Sequence, residues 1–386
     1  MNGNRIIAKI LKAEGVDWIS CFPAQGLIPV AAEEGIRPIL CRQERAGVNI
    51  ADGFSRVNSG RKIGVFTMQY GPGAENAFGG VAQAFADSVP ILLLPGGANT
   101  SQHGVSPNFQ ATEHYKGITK WSGYVNKVER IPELMKIAFT QLRNGSKGPV
   151  LLEIPMDIGE QEFPTENFTY EPVKIIKSQA DPADVKELIS AIFKAKSPMI
   201  NAGQGILYAN ATNELLEFAE LTGIPVMTTL SGKSAFPENH PLYLGTGGSS
   251  ATLMVEHFRT TSDLIIGIGT SYTKSNFGAP MPENTTLAQV IDNVDFINKA
   301  YDIDLACIGD AKLVLRQMIE ELKQVSGRNK HPNAETALKQ TIQLREDFYD
   351  EWNPRLNSDE IPLSPYRVLK ELAATLDVSN TIITHD

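Results

Sequence analysis

The chain has 386 residues, 42% of them apolar and 20% charged, with a formal net charge of −9 at pH 7. Such a length and composition fit a folded protein of two domains and part of a third. The acidic balance and the lack of a Lys/Arg-rich block exclude an obvious nucleic-acid partner, and no apolar run approaches the ~20 residues of a membrane span. The opening stretch, MNGNRIIAKILKAEGVDW, predicts an amphipathic helix and not a signal peptide. Cys21, Cys41 and Cys307 lie in apolar runs, as buried free thiols do in a reducing cytoplasm. No set of His and Cys residues has metal-ligand spacing.

In chain order, the runs WISCF (18–22), RPILC (37–41), KIGVFTM (62–68), PILLLPG (90–96) and GPVLLEIP (148–155) predict strands. Helical patterns lie between them at Gln43–Arg56, Ala74–Ala86 and Ile131–Leu142. Strands that are apolar throughout, alternating with helices, predict a parallel sheet covered on both faces. This fills a first domain, residues 1–165. A polar stretch near 160–182 follows, and a helix from Asp181 to Lys194 opens a second domain, residues 183–325. Its predicted strands are SPMINAG (197–203), GIPVMTT (223–229), SDLIIGIGT (262–270) and TTLAQVID (285–292), and a helix over Ala311–Lys323 closes it. Residues 326–360 read as a polar linker with a helical piece at Ala334–Phe348. From 361 to 386 a third domain begins. Ser364 caps a helix over SPYRVLKELAATL (364–376), with Pro365 in its first turn, and TIITHD (381–386) predicts the next strand. The fold class is α/β: two doubly wound parallel-sheet domains plus the start of a third.

Four stretches carry chemistry. In CRQERAGVNIADGFSR (41–56), Glu44 stands between an apolar run and a helix. It reads either as a surface ion pair with Arg42 or Arg45, worth little, or as a carboxyl in a dry crevice that handles one proton. Gly71-Pro72-Gly73 follows a strand and opens a helix. Glycines there permit a tight turn and close backbone approach beside free N–H groups. No Lys-Ser/Thr follows, so this is not a phosphate loop, and the spacing is not GxGxxG. NAGQGI (201–206) repeats the strand, glycine turn and helix, without a third glycine or an acid about 20 residues on. QVIDNVD (289–295) places a carboxylate at a strand end, where a ribose contact and a solvated loop acid are both admitted.

Together these stretches carry a resemblance. The order RQERAGVNIADGFSR, YGPGAENAFGGVAQAFADSVPILLLPG and GPVLLEIPMDI resembles the pyrimidine-binding domain of thiamine-diphosphate enzymes, nearest to the acetolactate synthase and pyruvate oxidase group. AGQGI, IPVMTTLSGK, HPLYLGTGG and DLIIGIGTSYT resemble the central domain of the same group, so the likeness spans nearly the whole chain. The resemblance implies that Glu44 hydrogen-bonds N1′ of the cofactor's aminopyrimidine. Burial favours the protonated form of a carboxyl. Through the ring, such a carboxyl promotes loss of the thiazolium C2 proton and attack on a 2-ketoacid. The resemblance further places Pro23, Gly71, Pro72, Gly73 and Asn76 around the pyrimidine, and Gln110 (in PNFQATEHYKGITKW) near the reacting centre. Three positions depart from the family pattern: Ala111 stands for Glu, Tyr70 for a small Ser, and Gly97 for Gln. Substrate choice is thereby open beyond a pair of pyruvates.

The implied function is a carboligase or decarboxylase of 2-ketoacids, acetolactate synthase-like, with branched-chain amino acid biosynthesis as a pathway it would fit. The alternatives are another thiamine-diphosphate decarboxylase or lyase, or a non-catalytic partner subunit that retains the fold. The family holds Mg2+ and the diphosphate on a third domain, through a GDG motif and a later Asn. Here GDA (309–311) leads into the closing helix of the second domain, so no metal ligand is assigned. The third domain then belongs either to a longer form of this enzyme or to a separate polypeptide. Because family sites are shared between subunits, a homodimer or tetramer is expected, with Glu44 facing a neighbour. FAD, structural or redox, would sit on the central domain.

Overall fold

The computed structural model describes residues 1–23, 26–164, 168–324 and 330–384. The first half builds a six-stranded sheet from β1 (Trp18–Cys21), β2 (Arg37–Leu40), β3 (Gly64–Met68), β4 (Ile91–Gly97), β5 (Trp121–Tyr124) and β6 (Val150–Pro155). All its pairs are parallel, in the order β2-β1-β3-β4-β6-β5. Its helices are α1 (Gly3–Ala13), α2 (Leu27–Glu33), α3 (Glu44–Val57), α4 (Pro72–Ala86), α5 (Ala111–His114), α6 (Ile131–Arg143) and α7 (Met156–Glu160). Every residue of β3, β4 and β6 is buried, as strands covered on both faces must be. Two cores result. Ile6, Ile10, Leu11, Met135 and Phe139 pack α1 and α6 on one face, and Val48, Phe66, Ala77 and Tyr115 pack α3 and α4 on the other.

The second half repeats the plan with β7 (Pro198–Ala202), β8 (Val226–Thr229), β9 (Tyr243–Gly247), β10 (Leu264–Ile268), β11 (Thr286–Ile291) and β12 (Leu305–Ile308). The order is β12-β11-β10-β7-β8-β9, again all parallel. Its helices are α8 (Pro182–Lys194), α9 (Gly205–Ala209), α10 (Thr212–Thr222), α11 (Leu253–Thr261) and α12 (Ala311–Gln324). α13 (Ala334–Leu356) and α14 (Pro365–Thr375) follow.

The second sheet reverses direction once and the first twice, the second time to insert β6 between β4 and β5. The chain leaves β1 for β2, then crosses back to lay β3 on the other side. It leaves β7 for β8 and β9, then crosses back to lay β10 beside β7. Loops diverge at the β1/β3 and β7/β10 reversals, beyond the strand C-termini where α/β proteins bind ligands.

The strands read from the sequence before residue 325 all form. β5, β9 and β12 were not read, and all three lie at sheet edges. The helix expected over 334–348 runs on to Leu356, so most of the expected linker is helical. The strand expected at TIITHD does not form over residues 381–384, which have no strand neighbour among the described residues to supply a ladder; 385–386 lie outside the described residues. Ile382 and Ile383 are exposed.

Candidate functional site

The first crevice is built by helices set tightly on the sheet. A Cβ on Gly47 would stand 2.2 Å from the Phe66 ring, and one on Gly64 only 2.1 Å from the Ala51 carbonyl oxygen. These two glycines let α3 lie close against β3. Ser20 on β1 fixes the helix further, donating to the Gly47 carbonyl at 2.8 Å. Gly80 brings α4 against Val48 of α3. α3 begins at Glu44, so its first residue is delivered to the C-terminal edge of the sheet, beside the first turn of α4.

Glu44 is only 6% exposed. Asn76 donates from Nδ2 to Glu44 Oε2 at 2.5 Å. Among the described residues no cation pairs with Glu44, and Arg42 and Arg45 are exposed. Of the two readings offered by the sequence, the geometry matches the dry carboxyl. Its place in the first turn of α3 also suits a negative charge. The other oxygen, Oε1, faces the glycine turn: a Cβ on Gly73 would lie 3.3 Å from it. Gly71 has φ +61 and ψ −112, a backbone that only glycine adopts without strain. Pro72 occupies the first helical position, where a missing N–H costs nothing.

The structure therefore brings Glu44, Gly71, Pro72, Gly73 and Asn76 together. Pro23 is exposed and follows the end of β1, the strand between β2 and β3. Gln110 is the residue before α5, half-buried, and its side chain has no hydrogen-bond partner among the described residues. α5 is tied to the glycine turn, because Tyr115 donates to the Ala74 carbonyl and stacks edge-on against Phe78 at 5.2 Å. Sequence reasoning missed Tyr115, and it missed Thr112 within α5 and Glu153 beneath it. The one available signal was an acid inside the apolar strand GPVLLEIP.

A second crevice, of about 1200 Å3, opens at the β7/β10 reversal and reaches the first half of the chain. Arg56, Asp87 and Lys147 line it from one side, and Asn201, Thr270 and Asp292 from the other. None of the residues named for the first crevice lines it. The glycines of NAGQGI answer to packing there: a Cβ on Gly203 would lie 2.3 Å from the Gly269 carbonyl oxygen, and one on Gly205 lies 2.7 Å from Gly269 Cα. Asn201 is 3% exposed, and its Oδ1 has no partner among the described residues. Burial raises the Asp292 carboxyl above its ordinary value and lowers the Lys147 ammonium. An unpaired buried acceptor in a crevice this size fits a bound polar ligand better than an empty protein wall.

Two doubly wound parallel sheets with flanking helices define an α/β protein of the kind whose ligand sites lie beyond the strand ends. The chain belongs to the thiamine pyrophosphate enzyme family. Residues 1–118 match the thiamine pyrophosphate enzyme N-terminal TPP binding domain, and residues 185–318 match the central domain. A probable acetolactate synthase large subunit of Methanococcus aeolicus is 33% identical over 100% of this chain and 67% of its own length. The acetolactate synthase isozyme 3 large subunit of Escherichia coli K12 is 30% identical over 84% of this chain and 58% of its own. Glyoxylate carboligase of Escherichia coli O157:H7 is 28% identical over 94% of this chain and 62% of its own. The chain thus spans about two thirds of the first relative's length and less of the other two. Among the described residues no helix is long and apolar enough to cross a membrane, and no group of three or more His, Cys, Asp or Glu residues could hold a metal.

Proposed function

We propose that this chain carries the pyrimidine half of a thiamine-diphosphate site in a carboligase or decarboxylase of 2-ketoacids, acetolactate synthase-like. The carrying observation is Glu44: a buried carboxyl with one oxygen held by Asn76 and the other facing the side-chain-free turn at Gly73. Oε1 is the atom left to meet a ring nitrogen, and a side chain at Gly73 would fill the space such a ring needs. Bound thiamine diphosphate supplies a nucleophilic carbon and an electron sink for decarboxylation. Glu44 holds or releases one proton at Oε1, Asn76 orients the carboxyl, Gly71-Pro72-Gly73 shapes the floor, and Pro23 borders the pocket. Gln110, whose side chain has no hydrogen-bond partner among the described residues, contacts the substrate.

The diphosphate and Mg2+ are not assigned to any described residue here, so the reading needs another domain or subunit to hold them. We place the pyrimidine domain at 1–165 and the central domain at 183–325, with a homodimer or tetramer as the working assembly in the cytoplasm. We place FAD in the second crevice, with Asn201 Oδ1 and Asp292 as its polar contacts. Flavin absorbance that co-purifies with the protein and is lost in Asn201→Leu supports that assignment. The function is tested with the assembly as isolated from its source: CO2 release from pyruvate or glyoxylate is expected only with added thiamine diphosphate and Mg2+. Turnover indifferent to the cofactor overturns the reading. A cofactor-free assembly that instead raises the turnover of another subunit favours a partner role.

A further inference from the structure

A second buried acid lies against α5, the helix that Gln110 precedes, outside the set named for the cofactor. Glu153 sits in the middle of β6 and is 3% exposed. Its Oε2 accepts from the Thr112 backbone N–H at 2.8 Å and from Thr112 Oγ1 at 2.7 Å. Thr112 is the second residue of α5, and Gln110 immediately precedes that helix. The Thr112 hydroxyl also reaches the Gly123 carbonyl at 3.2 Å, and Ser122 donates to the Thr112 carbonyl at 3.1 Å. The turn that presents Gln110 is thus fastened to β5 and β6 from below.

The other face of Glu153 explains Gly97. A Cβ on Gly97 would lie 3.1 Å from Glu153 Oε1 and 3.2 Å from its Cγ, so the acid occupies the room that a side chain at the end of β4 would take. At its far end the same short helix leads to Tyr115, which donates to Ala74, the residue after Gly73. A continuous path of contacts therefore runs from Glu153 through α5 to the glycine turn under Glu44.

We propose that Glu153 is a positioning residue: its carboxyl fastens the first turn of α5 and so aims Gln110 at the reacting centre. An acid buried under a four-residue helix is a costly way to hold a loop, and packing alone would be served by an apolar side chain. A clamp on two donors of one residue fixes the direction of the residue before it. The inference rests on the proposed carboligase site, because it presumes that Gln110 meets substrate.

The test is a double-mutant cycle in the assembly isolated from its source, assayed with pyruvate, thiamine diphosphate and Mg2+, with hydrogen exchange at residues 111–115 as a second arm. Glu153→Ala is expected to lower kcat by about tenfold to a hundredfold while the cofactor requirement is unchanged, as small misplacements of reacting groups do. In a Gln110→Ala background the same change is expected to cost nothing further, because the residue it aims is gone. Glu153→Gln, which keeps an acceptor for Thr112, is expected to rescue most of the loss. Equal losses in both backgrounds, or no loss in the natural one, overturn the proposal. Absence of turnover in the unmutated assembly counts against the functional reading, and then the exchange arm decides. Faster exchange at 111–115 in Glu153→Ala supports the clamp, and unchanged protection overturns it.

Discussion

At the scale of single residues, the site is made by what is absent as much as by what is present. Gly71 holds a backbone with φ +61 and ψ −112, and Gly73 leaves Oε1 of Glu44 uncovered. Gly71→Ala forces a side chain into that backbone region and is expected to cost about 1–3 kcal/mol of stability, read from urea denaturation. A change within error would mean that the turn relaxes freely. Glu153 carries a pH signature. Burial lifts its carboxyl above the ordinary value, against the two hydrogen bonds from Thr112 and the charge of His103, while Glu113 adds to the lift. Tyr124 and Asp157 share the same neighbourhood. With the folded pKa raised, the folded form binds more protons than the unfolded one between the two values. The contribution to stability is then full below the ordinary carboxylate range and is lost as pH rises through the raised value. Glu153→Gln is expected to flatten that fall in a series of denaturation midpoints, and parallel curves for the two proteins would contradict it.

At the scale of elements, α3 and α4 place the chemistry, and their seating depends on close approach to the sheet. Gly64→Ala sets a Cβ against the Ala51 backbone, whereas Gly47→Ala sets one against the Phe66 ring, which can shift. Both are expected to destabilise by about 1–3 kcal/mol, Gly64→Ala the more, and the reverse order in chemical denaturation would contradict the packing described. Legibility in the sequence follows the same physics. Strands buried on both faces, such as GVFTM and VLLEIP, announce themselves as mainly apolar runs. WSGY, YLGTG and LACI form sheet edges and escaped notice: the first two carry few apolar residues, and LACI is a run of only four. TIIT (381–384) has the β-branched content of a strand but no partner strand among the described residues, and composition does not reveal that. Glu44 and the glycine turn were legible because each interrupts a regular pattern at a strand end, whereas Asn76, inside α4, was reached only through the family resemblance. Glu153 was not legible, because its partner Thr112 lies 41 residues earlier in the chain.

At the scale of the whole molecule, two crevices sit at two strand reversals, and different residues line each. The first offers a carboxyl and a glycine turn but no described cluster that would hold a metal. A cofactor bound through its ring alone is held weakly, since phosphate and metal contacts supply much of the affinity for such ligands. Titration calorimetry is therefore expected to show much weaker binding of thiamine diphosphate to residues 1–386 alone than to the assembly from the source. Equal affinities would mean that the described residues hold the diphosphate by themselves. The most direct measurement is kcat for Glu44→Gln in that assembly, saturated with thiamine diphosphate and Mg2+. An amide cannot exchange the proton, so a loss of about a hundredfold or more is expected, with the substrate KM little changed. Turnover within about twofold of the unmutated assembly would contradict a catalytic Glu44.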